Sequence, residues 1–318
     1  VLAHVHHRLA AEDLGFGVEG IGMKVFKALA LAGLLACSLA ATAMAAPVTI
    51  AEEVAAFDKP TQAERLAVLK ALLDARGLTY EVRPFNSGKP GAPEGYNVVV
   101  ILAPGGDKDI LLTAHYDALV LMDGTLVNGV VDNAASVVAL LRAADDLKGK
   151  TFKRGLRIVF FDQEERGLLG AAAYAASPDG KRVGAVFNFD VNAYGDTPFY
   201  AAATSAVDVP LEGVVKAACQ SAAEACRGLQ AYPPSDHLAF RKALIPSTSF
   251  SYLPSAEVDV LEAFMAQLAK GEQPTGPTPR ILGLIHTPQD QMSAVDPATI
   301  ERAAKLAVQV AMTAEATR

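Results

Sequence analysis

Leu156-Arg157-Ile158-Val159-Phe160-Phe161-Asp162-Gln163-Glu164-Glu165-Arg166-Gly167 is the stretch on which the fold turns. An apolar run interrupted only by Arg157 gives way at once to three acids and a glycine. That is the pattern of a strand covered on both faces and ending at a polar edge. Downstream, residues 167–176 read as a helix and 183–189 as a second apolar strand, ending in Asn188-Phe189-Asp190. Upstream, 109–114 is a strand ending at His115-Tyr116-Asp117, and 133–147 is a helix entered through Val131-Asp132-Asn133.

The alternation extends in both directions. Residues 60–77 predict an opening helix, with Leu66, Val68, Leu69, Leu72 and Leu73 as its apolar face and Gly77 as its stop. Extended segments follow at 79–84 and 97–102, with Gly105-Gly106-Asp107 as a turn before the next strand. Beyond Asp190 come a helix at 211–223, a short helix after Asp236, a strand at 245–252, a helix at 258–270, a proline-bearing loop at 271–279 and a terminal helix from Pro297. Apolar strands separated by helices predict an α/β fold: a single globular domain with a central mixed, mostly parallel β-sheet covered by helices on both faces. In such sheets sites form at the carboxyl ends of the strands. His115, Glu164, Glu165 and Asp190 each stand at or just past such an end.

A chain of 318 residues with 51% hydrophobic content can bury a large core, which excludes disorder. Its net charge of −7 comes without a basic run, which argues against nucleic acid and against an electrostatic membrane footprint. Residues 23–45 read as a signal peptide: Met23-Lys24-Val25-Phe26-Lys27 is a cationic start, an apolar stretch follows from Ala28, and Ala43-Met44-Ala45 is a small-residue end. Residues 1–22 then form an upstream extension, and 46–318 a single domain that is periplasmic or extracellular, with no stable membrane insertion after cleavage. Two alternatives are an uncleaved anchor and a lipoprotein tether through Cys37 in Leu34-Leu35-Ala36-Cys37. Export leaves Cys219 and Cys226 in an oxidising compartment. On one unbroken helix they would stand about 10 Å apart and unbonded, whereas a helix ending between them allows a disulfide. Both arrangements remain open.

The polar residues at the strand ends carry the chemistry. His115 in an H-x-D pair is either a metal ligand with Asp117 behind its imidazole or a histidine satisfied by a turn aspartate. Asp132 is either an N-cap or a carboxylate bridging two metals, and Asp190 either a cap or a ligand. Adjacent Glu164 and Glu165 repel unless cations neutralise them. Either they face solvent, or Glu165 binds metal while Glu164 takes the proton of an attacking water. His286 adds a late histidine, with Asp290 as its partner or a turn residue. Two histidines and three carboxylates, one shared, match what a pair of zinc ions needs.

Over roughly residues 60–318 these motifs resemble the co-catalytic di-zinc aminopeptidases of peptidase family M28, typified by the secreted bacterial leucyl aminopeptidases. The resemblance implies two Zn²⁺ ions, one on His115, Asp132 and Asp190 and the other on Asp132, Glu165 and His286. It makes Glu164 the general base and Asp117 the residue behind His115, acting on a peptide with a free N-terminus. Ser235-Asp236-His237-Leu238-Ala239-Phe240 is similar to a further signature near the site, and His237 is left off the metals as a structural hydrogen-bonding residue. Ile285 stands where some relatives have a tyrosine that stabilises the transition state, and Gln291 where threonine is usual. Three rivals share the fold. A carboxypeptidase- or dipeptidase-type exopeptidase would build a basic pocket from Arg166, Arg241 or Arg280. A glutaminyl cyclase would depend on tryptophans, of which the chain has none, and a non-catalytic binding protein would have lost ligands. Oligomeric state and native metal are not encoded in these motifs.

Overall fold

A computed structural model of the chain describes residues 48–106 and 108–317. The upstream extension, the signal segment and Cys37 lie outside the described residues. Among the described residues the helices are α1 (Ile50–Ala55), α2 (Gln62–Ala75), α3 (Ala135–Leu147), α4 (Leu169–Ala176), α5 (Val209–Ser221), α6 (His237–Lys242), α7 (Ser255–Ala269), α8 (Arg280–Leu284) and α9 (Pro297–Ala316). The strands are β1 (Tyr80–Phe85), β2 (Gly95–Ala103), β3 (Asp109–His115), β4 (Gly155–Phe161), β5 (Val183–Phe189), β6 (Thr197–Ala201), β7 (Arg227–Leu229) and β8 (Ser247–Leu253).

They form one mixed sheet in the order β1-β2-β4-β3-β5-β8-β6-β7. Its centre, β4-β3-β5-β8, is parallel throughout. β1, β2 and β4 pair antiparallel, as do β6 and β8. The Gly105-Gly106 turn does not make a hairpin, because β2 pairs with β4 and leaves β3 to lie between β4 and β5. Side chains alternate across the sheet as strand geometry requires. Val98, Val100, Ile110, Leu112, Ile158 and Phe160 join the core on the face covered by α1, α3, α5 and α9. Val99, Leu111, Val159, Phe161 and Phe240 form a second core under α4 and α6.

Two outer strands were not foreseen. β6 contains Pro198 and β7 is three residues long, so neither carries a pattern of its own; both exist through their neighbours. The helix expected from 133 starts at Ala135, after a wide turn at Val130–Ala134. The cysteines take the second of the two arrangements: α5 ends at Ser221, Ala223 turns left-handed at φ 57°, and Cys219 and Cys226 are bonded with Cα atoms 6.0 Å apart. No helix among the described residues is long and apolar enough to cross a membrane.

Candidate metal centre

Parallel β3, β4 and β5 deliver their ends to one edge of the sheet, and the predicted residues gather there. His115 is the last residue of β3, Asp190 follows β5 directly, and Glu164 and Glu165 lie in the turn after β4. Asp132 comes from the Val130–Ala134 turn and His286 from the loop after α8. The backbone is strained at His286 and at the residues next to Glu164 and Asp190. Gln163, Val191 and His286 adopt φ of 59°, 55° and 61°, a region costly for side-chain-bearing residues and most of all for a β-branched one.

The side chains meet in two sets joined by one carboxylate. Asp132 Oδ1 is 3.1 Å from His115 Nε2, which is also 3.5 Å from Asp190 Oδ1. Asp132 Oδ2 is 3.1 Å from His286 Nε2, which is 3.0 Å from Glu165 Oε2. Ligands about 2.0–2.1 Å from a tetrahedral zinc are about 3.3 Å apart, so both sets have the spacing of a coordination shell. The donor set fits. His115 Nε2, Asp190 Oδ1 and Glu165 Oε1 are buried without a hydrogen-bond partner, a costly state that a cation would relieve. Asp132 caps no helix, since the turn into α3 carries no side-chain cap.

Electrostatics point the same way. Burial raises Glu165 to about 7, with Asp132 adding to it and His286 opposing, and burial raises Glu164 well above the carboxylate range. His286 is pushed up to about 11 by hydrogen bonding to Asp132 and Glu165. For His115, burial alone would lower the pKa, but Glu164 and the carboxylates of Asp117, Asp132 and Asp190 raise it well above normal. The centre is short of positive charge.

Asp117 stands 3.3 Å from His115 Nδ1 and also accepts the amides of Glu164 and Glu165, at 3.1 and 3.2 Å. Of the two readings of Asp290, its backbone fits the turn residue, donating to Thr287 O at 3.1 Å, while its side chain, instead of backing His286, accepts the amides of Val130, Val131 and Asp132 at 2.9, 2.7 and 3.1 Å. Asn133 ties the same turn to β5, donating to Phe189 O at 3.0 Å and accepting from Val191 N at 3.2 Å. His237 is buried, with its ring edge-on to Tyr232 and Nδ1 unpartnered; its expected hydrogen-bonding role falls to its carbonyl, which accepts Ser247 Oγ at 2.8 Å.

A pocket of about 100 Å³ opens beside Asp132, Glu164, Asp190 and His286, walled by Val191, Phe199, Leu253, Leu261, Ile281 and Ile285. Tyr232 also lines it, and its hydroxyl is hydrogen-bonded to Ser251 Oγ at 2.5 Å. Sequence reading missed this tyrosine, whose one signal is its place four residues before Asp236. No lysine or arginine among the described residues lines the pocket: Arg241 pairs with Asp208, Arg280 lies over the Tyr194 ring, and Arg166 lines a separate cavity behind Asp117. An open cleft of about 930 Å³ at the opposite edge of the sheet holds none of the predicted residues.

The sequence model of Peptidase family M28 matches residues 97–311. A vacuolar membrane protease of Verticillium alfalfae is 37% identical over 86 residues, which is 26% of this chain and 8% of that protein's length. Among solved structures, the LapA aminopeptidase of Legionella pneumophila is similar at a TM-score of 0.63 and 19% identity, over 85% of this chain and 70% of that one. BSAP, a zinc aminopeptidase from Bacillus subtilis, is similar at 0.54 and 20% identity, over 70% and 51%. A glutaminyl cyclase of Porphyromonas gingivalis is similar at 0.60 and 20% identity, over 83% and 95%. At these identities the likeness to solved structures is one of fold.

Proposed function

The chain belongs to peptidase family M28, and from that premise we propose that it is an exported two-zinc aminopeptidase. One observation carries the reading: the two oxygens of Asp132 each approach a different histidine at 3.1 Å, as a carboxylate shared by two ions must. In this reading His115, Asp132 and Asp190 hold one ion and Asp132, Glu165 and His286 the other. Bound zinc would supply Lewis acidity at the scissile carbonyl and a water acidic enough to give up a proton near neutral pH.

The chain's own residues do the rest. Glu164, beside both sets but within 4 Å of neither histidine in any ion pair, takes the proton of the attacking water and returns it to the leaving amine. Asp117 positions His115 through Nδ1 and, through two amides, the turn that carries the base. Tyr232 offers its hydroxyl to the developing oxyanion, the role left open at Ile285. The free amine of the substrate meets the acidic rim at Asp190, and its first side chain enters the apolar pocket. A lining without cations supports an aminopeptidase over a carboxypeptidase, which must hold a substrate carboxylate. The absence of tryptophan argues against a glutaminyl cyclase. Export rests on residues 23–45, with 46–318 as one catalytic domain, and the Cys219–Cys226 bond supports it.

The test compares a free-amine leucyl anilide, an N-blocked peptide with a free C-terminus, and an N-terminal glutaminyl peptide, before and after chelation. Zinc-restorable turnover of the anilide alone is expected. Turnover confined to the blocked peptide, or cyclisation of the glutaminyl peptide, would overturn the reading in favour of the corresponding rival.

A further inference from the structure

The loop that carries Asp132 is held by two buried charges of opposite sign, and neither touches the place where ions would sit. Arg65, on α2, is wholly buried. Its Nη1 donates to Asn128 O at 2.7 Å and its Nη2 to Gly129 O at 3.1 Å. Nη1 also reaches Phe57 O, and Nε reaches Tyr116 O, both at 2.7 Å. Asp290, also wholly buried, takes the next three amides of the loop, those of Val130, Val131 and Asp132. Five consecutive residues therefore have a main-chain group satisfied by a guanidinium on one side or a carboxylate on the other, through charge-assisted bonds. Gly129 makes the approach feasible, because at φ 57° a Cβ there would stand 2.6 Å from Ala118 Cβ and 3.2 Å from Arg65 Nη2.

The two charges also connect the loop to its neighbours. Tyr116 follows His115, so Arg65 fixes the distance from the His115 turn to the Asp132 loop. Asp290 follows His286 by four residues, so it fixes the distance from the Asp132 loop to the His286 turn. A shared carboxylate tolerates little error, since constellations of this kind must hold to about 0.5 Å. We propose that Arg65 and Asp290 are positioning residues that set the spacing of the two ion sites, by clamping residues 128–132 between the two histidine turns. The proposal rests on the two-ion reading of Asp132.

Zinc titration of the metal-free protein separates the two ideas. The unsubstituted chain is expected to take up two ions, and fewer would overturn the two-ion reading and the clamp with it. Asp290→Asn removes the charge and turns an NH2 group toward at least one of the three amides, and Arg65→Lys cannot span four carbonyls. Each is expected to weaken one of the two ions by about 10–100-fold, with anilide turnover recovered at raised zinc. A folded variant that binds both ions as the unsubstituted chain does, or loses turnover that zinc does not recover, overturns the clamp alone. If both variants fail to fold, hydrogen exchange on the unsubstituted, metal-free chain decides. The amides of Val130, Val131 and Asp132 are expected to be protected like those of β3; exchange at the rate of exposed loops overturns the clamp.

Discussion

Replacing Glu164 by glutamine tests the division of labour between adjacent acids. The substitution keeps the shape and the backbone amide that Asp117 accepts at 3.1 Å, and removes only the ability to take a proton. Glu164 makes no close ion pair with either histidine, whereas Glu165 Oε2 lies 3.0 Å from His286 Nε2. Yet one oxygen of Glu164 is within 4.8 Å of donor atoms of His115 and Asp190, near enough to make it a rival ligand. Loss of a general base costs about 10²–10⁴-fold in turnover, or about 2.7–5.4 kcal/mol of barrier. Glu164→Gln is therefore expected to lower kcat by that factor, leave KM within about threefold because ground-state binding is untouched, and retain two zinc ions per chain. Glu165→Gln is expected to lose an ion. The measurements are steady-state anilide hydrolysis and elemental analysis of the dialysed proteins. A Glu164→Gln protein with one ion, or with turnover within tenfold of the unsubstituted chain, would refute the assignment.

Three other outcomes follow from the structure. The Cys219–Cys226 bond closes a loop with a sequence separation of 7, and loop entropy gives it about 2.5 kcal/mol; Cys219→Ser with Cys226→Ser should lower the urea midpoint accordingly, and an unchanged midpoint speaks against the bond. Burial and the Arg241 charge push His237 down to about 3 from its ordinary 6.5. In that window the unfolded chain takes up a proton that the folded chain refuses, so stability falls as pH drops, by up to about 1.4 kcal/mol per pH unit. His237→Gln should flatten urea midpoints measured across this range, and parallel profiles would show that His237 is not held neutral. The pocket of about 100 Å³ suits an aliphatic first residue; Ile285→Ala should shift preference from leucyl toward phenylalanyl anilide by about tenfold or more, and an unchanged ratio would place the side chain elsewhere.

The central strands and the acids and histidines at their ends were legible because each is written locally. A run such as Ile158 to Phe161 has few ways to be satisfied other than inside a sheet, and acids at its end stand out against it. What was illegible depends on partners far along the chain. Arg65 lies at helical spacing with Leu69 and Leu73, but nothing local marks an arginine there as buried; its burial depends on carbonyls at 57, 116, 128 and 129. From sequence Asp290 reads as a partner for His286 or a turn residue, and neither reading reaches the amides about 160 residues earlier that its side chain accepts. Tyr232 gave no metal signal because a phenol lining a pocket needs no ion. β6 and β7 are short and lie outboard of β8, which gives β6 its place in the sheet as β6 in turn gives β7 its own.

The strand order also fixes a timetable. β3, β4 and β5 are neighbours that can pair as soon as residue 189 exists, but the far side of β5 is reserved for β8, with residues 190–246 in between. β6 is made earlier than β8 yet docks beyond it, so it must wait as well. During synthesis the half-built sheet offers a free edge flanked by Val186, Phe187 and Phe189, all buried at the end. Such an edge is a template for another chain. A chain built in this order is safest when held unfolded until residues 247–253 are available to close it.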